Sequence, residues 1–120
     1  MHRLLATAVA VGALAVGASA GAAPVPPFPD VAGSWSHAEI NVQVGRQPHT
    51  LVLDRGVLTR VSRGRLRIRE TDGNVVVMPV ARRVTVTSAG GPVPFSFLRA
   101  GWSIETMRID GGAAVRIRIL

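Results

Sequence analysis

The stretch from Asp54 to Val80, DRGVLTRVSRGRLRIRETDGNVVVMPV, sets the pattern for much of the chain. Arg63, Arg65, Arg67 and Arg69 fall on one side, with Leu66 and Ile68 on the other. A period of two places alternate side chains on opposite faces of a β-strand. Asp72-Gly73 follows, then an apolar run from Val75 to Val80. Two β-prone runs around Asp-Gly predict a hairpin, because this pair tolerates the positive φ angles of a tight turn. Upstream, Ile40, Val42 and Val44 alternate with Glu39, Asn41 and Gln43, and Leu51 and Leu53 follow the turn residues Gly45-Arg46-Gln47-Pro48. A hairpin closed by two or four residues sets Ile40 and Val42 against Leu51 and Leu53 on one buried face. Gly56 marks a bulge or bend within the next run. Val57, Thr59 and Val61 then alternate with Leu58 and Arg60.

Downstream, Val84 and Val86 alternate with Thr85 and Thr87, and Ser88–Pro92 reads as a turn. Phe95–Ala100 breaks the alternation and predicts one helical turn ending at Gly101, suited to plug one end of a small barrel. Trp102–Ile109 resumes as a strand. Its apolar parity changes between Ile104 and Met107, which predicts a bulge near Glu105-Thr106. After Asp110-Gly111-Gly112, the run Ala113–Leu120 puts Val115, Ile117 and Ile119 inward and Arg116 and Arg118 outward. The whole predicts an all-β, single-domain small barrel of six or seven strands over residues 36–120, with one short helical turn. The expected core is Ile40, Val42, Leu51, Leu53, Val57, Leu66, Ile68, Val84, Val86, Ile104, Val115, Ile117 and Ile119.

Two segments precede that domain. Residues 1–20 read as a signal peptide forming an N-terminal signal helix: Arg3 near the start, an apolar run Leu4–Gly17, and Ala18-Ser19-Ala20 as a small-x-small cleavage pattern. Cleavage is expected between Ala18 and Ala23, giving a secreted or cell-envelope protein. Residues 21–35 are rich in Pro and Ala and predict an extended tether, since proline lacks a backbone donor and restricts its neighbour. There is no Cys, so disulfides, thiol chemistry and thiolate metal sites are excluded. All 14 basic residues are Arg. Removing Arg3 with the signal leaves 13, against 7 Asp and Glu. Such an excess favours anionic partners, although the absence of Lys and Tyr also fits GC-rich coding.

Three readings concern chemistry. His37, Glu39 and His49 have the residue types of a metal site. The predicted hairpin register, however, puts His49 on the core side and His37 with Glu39 on the other. No metal or cofactor is therefore expected, and His37 is expected to hydrogen-bond Asp54 across the strand pair. The Arg row reads either as a cationic stripe spaced about 7 Å along the strand or as a solvated face whose stems cover Val76 and Met78. The candidate polyanion-binding residues are Arg63, Arg65, Arg67, Arg69, Arg116 and Arg118. No paired acid in a recognisable context and no Gly-rich phosphate loop occurs, so a non-enzyme is expected.

The succession LDRGVLTRVS, LRIRETDG, VVVMPVARRVTV, FLRAGW and DGGAAVRIRI, over about residues 48–120, resembles small exported actinobacterial β-barrel proteins of unknown function. Arg82-Arg83 and Ala89-Gly90-Gly91-Pro92 depart from that pattern, standing where such proteins usually carry a polar turn and a small hairpin. The resemblance implies an OB-like or SH3-like barrel and brings no catalytic residues. The expected function is a secreted or envelope module that binds or builds, with an anionic cell-wall or envelope polymer as possible partner. The alternative is a polyanion- or nucleic-acid-binding barrel using the Arg-rich strand face.

Overall fold

The computed structural model describes residues 3–11 and 25–120. Eight strands make one sheet: β1 (Arg3–Val11), β2 (His37–Val44), β3 (Gln47–Ser62), β4 (Arg65–Glu70), β5 (Val75–Ser88), β6 (Gly91–Val93), β7 (Ser103–Ile109) and β8 (Ala114–Ile119). A single 3₁₀ turn spans Phe95–Phe97. The order β1-β2-β3-β4-β5-β8-β7 closes on itself because β7 also pairs with β3. The all-β expectation holds, and the sheet is ring-like.

The long strand β3 makes this possible. One of its edges pairs with β2 from Gln47 to Asp54, then with β4 from Gly56 to Ser62. Its other edge pairs with β7 from Leu51 to Val57. The partner changes at Gly56, where a Cβ would lie 2.3 Å from the Arg69 carbonyl oxygen. Only glycine lets β4 approach this closely. The extra residue predicted here sits slightly later, as a register shift between Leu58 and Arg60.

Two apolar clusters flank this sheet. Inside the ring lie Leu58, Leu66, Ile68, Met78, Val86, Leu98, Ile104, Ala114 and Ile117. On the other face of β2, β3 and β7 lie Trp35, Ala38, Ile40, Val42, Leu51, Leu53 and Met107, with Phe28 and Val31 packed against them. The second cluster corrects the expectation of one core. Residues 25–35 carry no regular secondary structure and bend at Gly33, and they lie on the sheet: Arg116 donates to the carbonyls of Val25 and Pro26 at 2.7 and 2.6 Å.

Several local readings hold. The β2–β3 hairpin closes through two residues, with Val44 opposite Gln47 and Ile40 opposite Leu51. The Asp72-Gly73 turn joins β4 to β5, with Gly73 at φ 90°. Leu98, just after the 3₁₀ turn, inserts into the inner cluster.

Others are corrected. Leu58, not Val57, faces the ring interior, because Gly56 and the following bulge set the parity. Val57, Val84, Val115 and Ile119 are only partly buried. Strand β7 pairs with β3 without interruption from Ser103 to Ile109, so no bulge occurs at Glu105-Thr106; the register shift comes later and against β8, between Met107 and Arg108. Both faces of β7 are covered, which lets apolar residues of either parity be buried. Finally, Arg3–Val11 is a strand parallel to β2 rather than a signal helix. An open sheet edge offers unpaired N–H and C=O groups that an extended segment satisfies. The expected cleavage site lies outside the described residues.

Candidate anion face and buried acid–histidine cluster

Arg65, Arg67 and Arg69 project from β4 toward solvent, and Arg63 lies exposed in the preceding turn. Their strand neighbours Leu66 and Ile68 are fully buried. On β5 the register sets Arg65 opposite Pro79, Arg67 opposite Val77 and Arg69 opposite Val75. The arginine stems therefore flank exposed Val75 and Val77. Met78 and Val76 instead face inward, opposite Leu66 and Ile68, which corrects the expected covering. On the other side of β4, Arg60 stands directly opposite Arg67. Like charges in directly opposed positions are unfavourable in a sheet. No acidic side chain lies within ion-pair distance of Arg60, Arg63, Arg65, Arg67 or Arg69 among the described residues. A shallow groove lined by Arg60, Arg65, Arg67, Val75 and Val77 runs across this face.

Arg116 and Arg118 lie elsewhere, beside the second half of β5, where Arg116 pairs with Thr85 and Arg118 with Thr87. Both are engaged. Arg116 holds the carbonyls of the 25–35 segment. Arg118 donates through Nε to Glu105 Oε1 at 2.8 Å and lies 4.8 Å from the centroid of the Phe28 ring. Arg55 mirrors it, donating through Nε to Glu105 Oε2 at 2.7 Å, with its guanidinium 4.3 Å from the Trp35 ring centroid. Glu105 is fully buried between the two. The structure thus sets Arg65, Arg67 and Arg69 on one exposed face, with Arg63 in the adjoining turn, and engages Arg116 and Arg118 in contacts within the fold, Arg118 sharing Glu105 with Arg55.

A second constellation sits where β2, β3, β4 and β7 meet. His37 pairs with Asp54, as expected, and its Nδ1 lies 2.7 Å from Asp54 Oδ1. Its Nε2 lies 2.9 Å from Glu39 Oε2. The close approach at Gly56 brings in Glu70, whose Oε2 is 4.0 Å from His37 Nδ1. Arg108 donates to Asp54 Oδ2 at 3.2 Å. His37 is 9% exposed, Asp54 1% and Glu70 2%. Burial alone would raise the Asp54 pKa. Hydrogen bonds from Glu70 and His37, with the positive charge of His37 and Arg108, outweigh it and hold the carboxyl below its ordinary value.

His49 faces the other side of the hairpin, opposite Val42, with its Nδ1 2.7 Å from Asp110 Oδ2. The two histidines are therefore apart, as the register implied. Glu70 was not legible as a member of the His37 group. Its parity with Leu66 and Ile68 marks it as inward-facing, but its neighbour across β3 depends on where Gly56 lets the partner change. Compared with known protein families, characterised proteins and solved structures, the chain matches none of them.

Proposed function

We propose that the protein is an exported, non-catalytic module of the cell envelope that holds an anionic polymer on the outer face of β4 and β5. The observation that carries this reading is the row of solvent-facing arginines around Val75 and Val77, with no acidic partner among the described residues. A merely solvated strand face gains from interspersed charges of both signs. This face instead retains Arg60 against Arg67, an arrangement that a ligand's negative charge would relieve. The exposed valines add apolar contact beside the charges.

The closed path β3-β4-β5-β8-β7, with β5 and β8 parallel, supports an OB-like barrel over an SH3-like one. In OB-type barrels the face of the second and third strands binds oligonucleotides and oligosaccharides. Those strands correspond here to β4 and β5. The anionic-ligand reading stands on the side chains, since a fold alone does not assign a function.

The test is a titration with polyphosphate and with single-stranded DNA at rising salt. Each phosphate contact releases condensed counterions, so log affinity falls by about 0.7–0.9 per contact against log salt. Arg65→Gln with Arg67→Gln should flatten that slope by about 1–2 units. Replacing Arg46 and Arg99 should leave it nearly unchanged. Binding with no salt dependence, or equal loss from both double substitutions, would reject the assigned face. Preference for polyphosphate over DNA supports an envelope polymer; the reverse preference supports nucleic acid.

A further inference from the structure

We infer that the cluster of His37, Asp54 and Glu70 is a binding site for one divalent transition-metal ion of the zinc class. It lies on inward-facing positions at one end of the ring, apart from the arginine face. One ligand-type atom from each residue lies within 4.8 Å of the other two. For bonds of about 2.0–2.2 Å, tetrahedral ligand atoms stand about 3.4 Å apart. The His37–Glu70 separation of 4.0 Å needs only a small side-chain rotation to reach that spacing. One imidazole nitrogen with carboxylate oxygens suits zinc, manganese or cobalt better than calcium, which takes six or more oxygens.

Three further features fit a metal centre. The ring nitrogen of His37 not facing Asp54 is held by Glu39, the carboxylate partner that typically fixes a metal-bound imidazole. Asp54 accepts from Arg108 through Oδ2, while its Oδ1 faces His37 Nδ1 at 2.7 Å, a hydrogen bond that an ion would replace by drawing the two atoms slightly apart. Thr106 stands opposite Asp54 across β3 and β7, on the same face. It is fully buried, and its hydroxyl has no hydrogen-bond partner among the described residues. A buried hydroxyl normally finds a partner, and a metal-bound water at the open coordination position would supply one. Glu39, with its side chain 45% exposed, opens the site to solvent.

The experiment uses the full chain, stripped with chelator and titrated calorimetrically with Zn²⁺, Mn²⁺ and Ca²⁺. One Zn²⁺ per chain is expected, bound at least tenfold more tightly than Ca²⁺. Glu70→Gln and His37→Gln should each weaken zinc at least tenfold. Because either change in a buried cluster could unfold the chain, the unaltered protein gives an independent readout. Substoichiometric Mn²⁺ should broaden the imidazole proton resonances of His37 well before those of His49. Broadening centred on His49, or no zinc binding at 0.1 mM by an otherwise folded protein, would overturn the site. Neither result depends on polymer binding at the arginine face, so the two ideas fail separately.

Discussion

Two faces of the sheet carry arginines at alternate positions, and they have opposite fates. On β4, Arg65, Arg67 and Arg69 are exposed beside Val75 and Val77. On β3 and β8, Arg55 and Arg118 grip the buried carboxylate of Glu105 from both sides, each against an aromatic ring from the 25–35 segment. The strand pattern RIR occurs in both β4 and β8. The difference comes from what arrives across the sheet. Strand β7 delivers an acid to β8, and the N-terminal segment delivers Phe28 and Trp35; on β4 the neighbour β5 delivers only valines and proline. Alternating arginines thus become structural or available according to residues many positions away.

The comparison can be broken most forcefully at Trp35. This side chain is 4% exposed, anchors the outer cluster and carries Arg55 on its ring. Trp35→Ala should cost about 3–5 kcal/mol in urea unfolding; a loss under about 1 kcal/mol would mean that the 25–35 segment contributes little to the fold. Next comes Glu105→Gln, which leaves two guanidinium groups without their shared charge. Losing one partner of a buried ion pair costs about 3–5 kcal/mol, but both arginines are about a third exposed, so about 2–3 kcal/mol is expected after solvent screening. High salt should narrow this gap.

Acid should act on the neighbouring His37 cluster. The Asp54 carboxyl is held below its ordinary value in the folded chain. Its contribution is therefore present above the unfolded value of about 3.9 and is lost as pH falls through the lower folded value. Asp110 shifts in the same direction through its bonds from the Thr50 amide and His49, with a smaller effect because it is solvent-exposed. Urea midpoints measured from pH 6 down to pH 2 should fall in the acid limb, and less steeply for Asp54→Asn. The smallest effect belongs to the arginine face: Arg65→Gln with Arg67→Gln should change stability by less than about 1 kcal/mol, of either sign. A larger loss would place these side chains with Arg55 and Arg118 as structural elements.

Much of this was legible in the chain because strand periodicity is local. The alternation in residues 40–53 gave the first hairpin with its register, and with it the His37–Asp54 pair and the separation of His37 from His49. Asp72-Gly73 gave the second hairpin, whereas the helical turn expected to run to Gly101 ends earlier, at Phe97. Alternation assumes that one face is buried, yet β3 and β7 are covered on both, so Leu58 and Met107 lie in the core against its prediction. Met78 is buried on β5, where the unbroken apolar run Val75–Val80 sets no parity. The clamp on Glu105 and the arrival of Glu70 beside Asp54 both depend on pairings between distant strands. Gly56 hinted at the second, since a glycine within a strand pattern signals close backbone approach, but it did not name the partner.

The dual use of β3 also bears on how the chain reaches this state. The β2–β3 and β4–β5 hairpins join neighbours in sequence and need only short loops to form. The bonds that close the ring, such as Gly56 to Ile104 and Val86 to Ile117, must wait for segments about 50 and about 30 residues apart to meet. Sheets dominated by such distant pairings fold on roughly the millisecond-to-second scale. Until closure, the edge of β3 that β7 will cover stays open, and with it both the Glu105 clamp and the Thr106 row remain unmade. The slow step of folding and the completion of the buried polar groups are therefore one event.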